Sequence, residues 1–73
     1  MNKKQSIQKL LQDLQPSVKQ DLIRVYRNGD YNLDIVFPMD LRHHRDALAA
    51  HIRVNYNVRA IPLGSLMLFV TIE

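Results

Sequence analysis

Asp21-Leu22-Ile23-Arg24-Val25-Tyr26-Arg27-Asn28-Gly29-Asp30-Tyr31-Asn32-Leu33-Asp34-Ile35-Val36-Phe37 is the stretch whose reading decides the fold. It admits two readings. Ser17 and Gln20 have the spacing of a capping box and Gly29 suits the residue after a helix, which makes 18–28 helical. Alternatively 21–37 is a β-hairpin turning at Arg27-Asn28-Gly29, with Gly29 left-handed in a bulge. A three-residue loop sets Val25 opposite Tyr31, Ile23 opposite Leu33 and Asp21 opposite Ile35. Ile23, Val25, Tyr31, Leu33, Ile35 and Phe37 then share one sheet face, and Arg24, Tyr26, Asn32 and Asp34 share the other. A two-residue loop opposes charged residues to apolar ones, a poorer match for a sheet with one buried face. The hairpin is the reading adopted.

On the amino-terminal side, Ile7, Leu10, Leu11 and Leu14 recur at helical spacing, predicting a helix over 5–15. Ser6 suits its N-cap, and Pro16 disfavours the α region at Gln15, so the helix is expected to end there. On the other side, Pro38 ends the hairpin and Asp40 is the expected N-cap of a helix over 41–53. Leu41, Leu48 and Ile52 form its apolar stripe, with Ala47 and Ala49 at the margins and Arg42 and Asp46 paired on its solvent side. Asn55-Tyr56-Asn57 marks the exit. Residues 58–61 read as a short strand, which Pro62 restricts to an edge or an end. Leu63-Gly64-Ser65 is a turn, and 66–72 is the strongest strand in the chain.

The layout is α-β-β-α-β-β, an α+β domain with both helices on one face of a small, mainly antiparallel sheet. In the last strand Met67 and Phe69 point away from Leu66, Leu68, Val70 and Ile72. Helices covering the second set leave Met67 and Phe69 without cover from the chain itself. A second copy or another protein is the expected partner, at the sheet face or along the edge of the last strand.

Composition bounds the rest. Seventy-three residues make one domain, 1–73, and a chain this short buries little core per residue. There is no cysteine, so disulfides and thiolate zinc sites are excluded. The apolar share of 47% is that of a folded protein. Met1-Asn2-Lys3-Lys4 has the charge of a signal peptide, but Gln8, Lys9, Gln12 and Asp13 break any apolar segment after it. No run approaches a membrane span, and a cytoplasmic protein is expected. The first helix has Lys3, Lys4 and Lys9 beside its leucines, as a membrane-surface helix would, but its polar face lacks a cationic row, so packing on the core is expected.

The residues of familiar chemistries do not converge. His44 and His51 lie two turns apart on the second helix, about 10 Å along its axis, too far for one ion, and His43 points away from both. Asp34, flanked by apolar residues, is the one carboxylate in an unusual sequence setting. No serine sits in a nucleophile elbow and no glycine-rich phosphate loop is present. The chain is therefore expected to be no enzyme, with no cofactor and no small-molecule substrate.

The formal charge of +3 leaves nucleic acid as the competing partner. Arg42, Arg45 and Arg53 fall on one flank of the second helix, with Arg59 following. Arg24 and Tyr26 share the polar sheet face, where Tyr26 is a candidate for base stacking. Against this, the GXXG loop, the aromatic string of RNA-recognition motifs and zinc-finger spacing are all missing. The leading expectation is a small interaction or regulatory module that self-associates through Met67 and Phe69. The alternative is a nucleic-acid-binding regulator using the arginine flank.

Overall fold

The computed structural model describes residues 3–72, so Met1 and Asn2 of the basic amino-terminal stretch lie outside the described residues, as does Glu73. The order of elements is α1 (Lys3–Lys19), β1 (Arg24–Arg27), β2 (Asn32–Val36), a 3-10 segment (Met39–His44), α2 (Arg45–Tyr56), β3 (Arg59–Leu63) and β4 (Met67–Thr71). The α+β class and the α-β-β-α-β-β order are as the periodicity implies. The four strands form one antiparallel sheet in the order β1-β2-β4-β3.

Alternation along the strands divides the sheet cleanly. Leu33, Ile35, Leu68 and Val70 are fully buried, and with Ala60 they form the floor of the core. Ile7, Leu10 and Leu14 of α1 and Ala49 and Ile52 of α2 close over that floor, so both helices lie on one face. Each large core side chain contributes roughly 1.5–3 kcal/mol of transfer free energy relative to exposure.

The hairpin at 21–37 is present, but its register differs from the expected one. Val25 pairs with Ile35 and Tyr26 with Asp34, across a loop of the expected three residues but at 29–31, two residues later than expected, closed by the Asn28 amide donating to Asn32 O at 3.0 Å. The partner of Val25 has moved by four residues, from Tyr31 to Ile35. An even slip leaves every side chain on its expected face, because strand side chains repeat every second residue. Tyr31 is displaced to an exposed place in the loop, and Asp21, expected opposite Ile35, lies outside the hairpin at the end of α1.

Several boundaries are corrected. α1 begins before Ser6, which is a buried residue inside the helix and not its cap. It also runs through Pro16 to Lys19. Pro16 lies on an exposed side where its missing donor is tolerable, and half-buried Val18 packs the last turn onto the core. The helix ends instead at Asp21, left-handed at φ 57. There the Leu22 amide donates to Ser17 O and the Asp21 amide to Val18 O, the bond pair of a Schellman motif. The capping-box signal at Ser17 and Gln20 thus marks the end of one helix and not the start of another.

Asp40 caps nothing. It sits in the first turn of the 3-10 segment, and α2 proper starts at Arg45 without a side-chain cap. Ala49, expected at the margin, is buried at the centre of the α2 stripe, whereas Leu41 and Leu48 are half-buried. β4 lies between β2 and β3, so the last strand has no free edge and edge association there is excluded. The strand is apolar on both faces, yet the helices cover only the face of Leu68 and Val70. Pro62 sits in β3, which is an outer strand, where a missing amide is tolerated.

Candidate functional site

The sheet face turned away from the helices is assembled by cross-strand register. Val36, Met67 and Leu63 lie side by side across β2, β4 and β3. Asp34, Phe69 and Ile61 form the next row, and Asn32, Thr71 and Arg59 the third. β1 extends the first two rows with Arg24 beside Val36 and Tyr26 beside Asp34. The middle of this face is apolar, with Phe69, Met67, Val36 and Ile61 half-buried by one another and Leu63 and Tyr26 45% and 52% exposed. No described element covers it.

Met67 and Phe69 are therefore together at the centre of an uncovered apolar surface. Val36, Ile61 and Leu63 belong to the same surface but were not singled out from sequence. Their membership depends on β4 lying between β2 and β3, and strand order leaves no local signal. Arg24 and Arg59 stand at the margin, while Asp34 lies within the face between Tyr26 and Phe69, so the face carries both signs of charge.

The arginines of α2 do a different job. Arg53 donates through Nε and Nη2 to the carbonyl of Ala60 at 3.1 and 2.6 Å. Arg45 donates through Nη1 to Gly64 O at 2.7 Å, and its side chain is only 16% exposed. Its Nε is buried without a hydrogen bond, 3.5 Å from Oδ1 of Asp46. Arg42 donates to Met39 O at 2.7 Å, so the expected Arg42–Asp46 pair is replaced by Arg45–Asp46. Arg45 and Arg53 hold the edge strand and its turn against α2. Arg24, Tyr26 and Arg59 project on the sheet face instead, so the six candidate nucleic-acid contacts are split between two surfaces.

His43 and His44 have ring centroids 4.2 Å apart, while His51 lies beside Asn55 and Tyr56. Among the described residues no three His, Asp or Glu side chains are placed to hold a metal ion. An apolar cleft of about 320 Å³ opens between Leu14 and Ser17 of α1 and Leu41 and His44 of the 3-10 segment, floored by Phe37. No helix among the described residues is long and apolar enough to cross a membrane.

Comparison of the chain with protein-family models, with curated proteins and with solved structures finds no match.

Proposed function

We propose that this chain is a small non-enzymatic interaction module that acts through protein–protein contact at its helix-free sheet face, as an adaptor, inhibitor or regulatory subunit. The observation that carries this reading is the uncovered cluster of Val36, Ile61, Leu63, Met67 and Phe69, contiguous across three strands. A contiguous apolar patch on a small domain is costly to leave in water and is the usual mark of a contact surface. We assign the protein to the cytoplasm, where a chain without cysteine folds with no oxidative step. The nucleic-acid alternative has less support, because Arg45 and Arg53 are already engaged with backbone carbonyls.

The test is site-specific photo-cross-linking in intact cells, with the cross-linking residue at Ile61 or, as a control, at Gln12 on the exposed side of α1. A discrete adduct from Ile61 that disappears in the Phe69→Asp background, with nothing comparable from Gln12, is the expected result. Equal labelling from both positions, or none from Ile61, would overturn the proposal.

A further inference from the structure

Resting on that reading of the face, we infer that its occupant is a second copy of this chain, packed sheet against sheet about a twofold axis that runs along β4. The arrangement of the face is the argument. β4 is the midline of the apolar cluster, with β2 on one side and β3 on the other, while β1 lies beyond β2. Rotation about that midline sets Phe69 against its own counterpart and Met67 against its own. It also sets Val36 of one copy over Leu63 of the other. The apolar rows therefore meet apolar rows in both directions.

The charges obey the same operation. Asp34 lies on β2 in the row of Phe69 and Ile61, and Arg59 lies on β3 one row further along. The rotation carries Asp34 of one copy over Ile61 of the other, beside that copy's Arg59. The ion pair forms twice, once on each side of the axis. Arg59 also has a partner within its own chain, which does not preclude this, since a guanidinium has five donors. Arg24 is carried to the outer rim, clear of its own counterpart. A face bearing one sign of charge would resist self-pairing, whereas this one is complementary to itself.

Size is consistent with a reversible pair. About an axis along β4 three strands of each copy overlap, and strands about 4.8 Å apart with five residues at about 3.4 Å each give a footprint of roughly 15 Å by 20 Å with side chains. That is below the size of stable specific interfaces, about 600 Å² per partner, as expected of a pair that dissociates on dilution. Sheets packed face to face cross at about 30°, so the axis lies about 15° from the β4 direction.

The experiment is sedimentation equilibrium on the purified chain, with circular dichroism to verify folding of each variant. A mass twice 8.5 kDa at high concentration is expected, dissociating on dilution, with Phe69→Asp monomeric throughout. Asp34→Arg and Arg59→Asp should each weaken association by about tenfold or more, and the two together should restore it. Failure of the folded double variant to recover overturns the β4 axis. A wild-type monomer at every concentration overturns the second copy as occupant, while a Phe69-dependent cross-link from Ile61 would leave the interaction module standing. A dimer indifferent to Phe69→Asp overturns both.

Discussion

The Tyr56 hydroxyl donates to Oδ2 of Asp13 at 2.5 Å, tying the last turn of α2 to the middle of α1. Lys9 approaches the other carboxylate oxygen at 3.2 Å, one turn earlier on α1. The Tyr56 bond, more than Lys9, holds the Asp13 carboxyl below its ordinary 3.8. Burial, then the facing carboxylate, pushes the Tyr56 hydroxyl up from 10.0 to about 12.

The sign of the pH dependence follows. A carboxyl with a lowered pKa contributes stability above about pH 3.8 and loses it as pH falls through the folded value. A phenol with a raised pKa contributes below pH 10 and loses it as pH rises through about 12. Tyr56→Phe should therefore narrow its stability deficit relative to wild type at both extremes and show it in full between them. Urea unfolding at a series of pH values measures this, and an NMR titration should find the Asp13 carboxyl moved upward in the variant.

Arg53→Ala removes the guanidinium from Ala60 O. The expected cost is about 1 kcal/mol, the net worth of a partly exposed charge-assisted bond. Amide exchange should quicken selectively in β3 while β2 keeps its protection. Uniform loss of protection throughout the sheet would show that the contact has no local role.

Asp21 and Gly64 share positive φ values, 57 and 58, but only one is glycine. Asp21→Gly should stabilise the protein by about 0.5–1 kcal/mol by relieving the left-handed strain at the end of α1. Gly64→Ala should destabilise by about 1 kcal/mol. A Cβ at Gly64 meets nothing within 4 Å, so this loss is conformational and not a clash. Opposite signs in thermal melts check both.

Met67 and Leu68 are neighbours in sequence on opposite faces of β4. Leu68→Ala should cost about 2–5 kcal/mol, a large part of the total stability of a domain this small. Met67→Ala in the monomeric Phe69→Asp background should cost less than about 1 kcal/mol. Equal costs would contradict the assignment of faces.

The fold was legible wherever hydrophobic periodicity carried the information. The alternation of Ile23, Val25, Leu33, Ile35 and Phe37 points to the correct buried face even with the three-residue loop misplaced by two positions, because an even slip does not exchange faces. Proline and capping residues misled, since their preferences are small beside tertiary packing. Val18 on the core outweighs Pro16 in the chain, and Asp40 has no helix to cap once the segment tightens into 3-10 geometry. Met67 and Phe69 were legible as outward-facing residues from one strand alone. Their neighbours Ile61 and Val36 were not, because they become neighbours only through strand order, which is fixed by the assembled core. Helical spacing grouped Arg42, Arg45 and Arg53, but nothing in a one-dimensional pattern tells a guanidinium facing water from one gripping a backbone carbonyl seven or nineteen residues later.

Pro62 and the Arg53 guanidinium together close the β3 edge. A fibril built by strand addition needs two open edges on every molecule, so that each unit accepts one neighbour and offers a template to the next. This sheet has at most one, the four-residue β1, with arginine at both ends. Edge-to-edge recruitment would stop at the first encounter, and the molecule is a chain terminator for the kind of polymer its own strands could otherwise start.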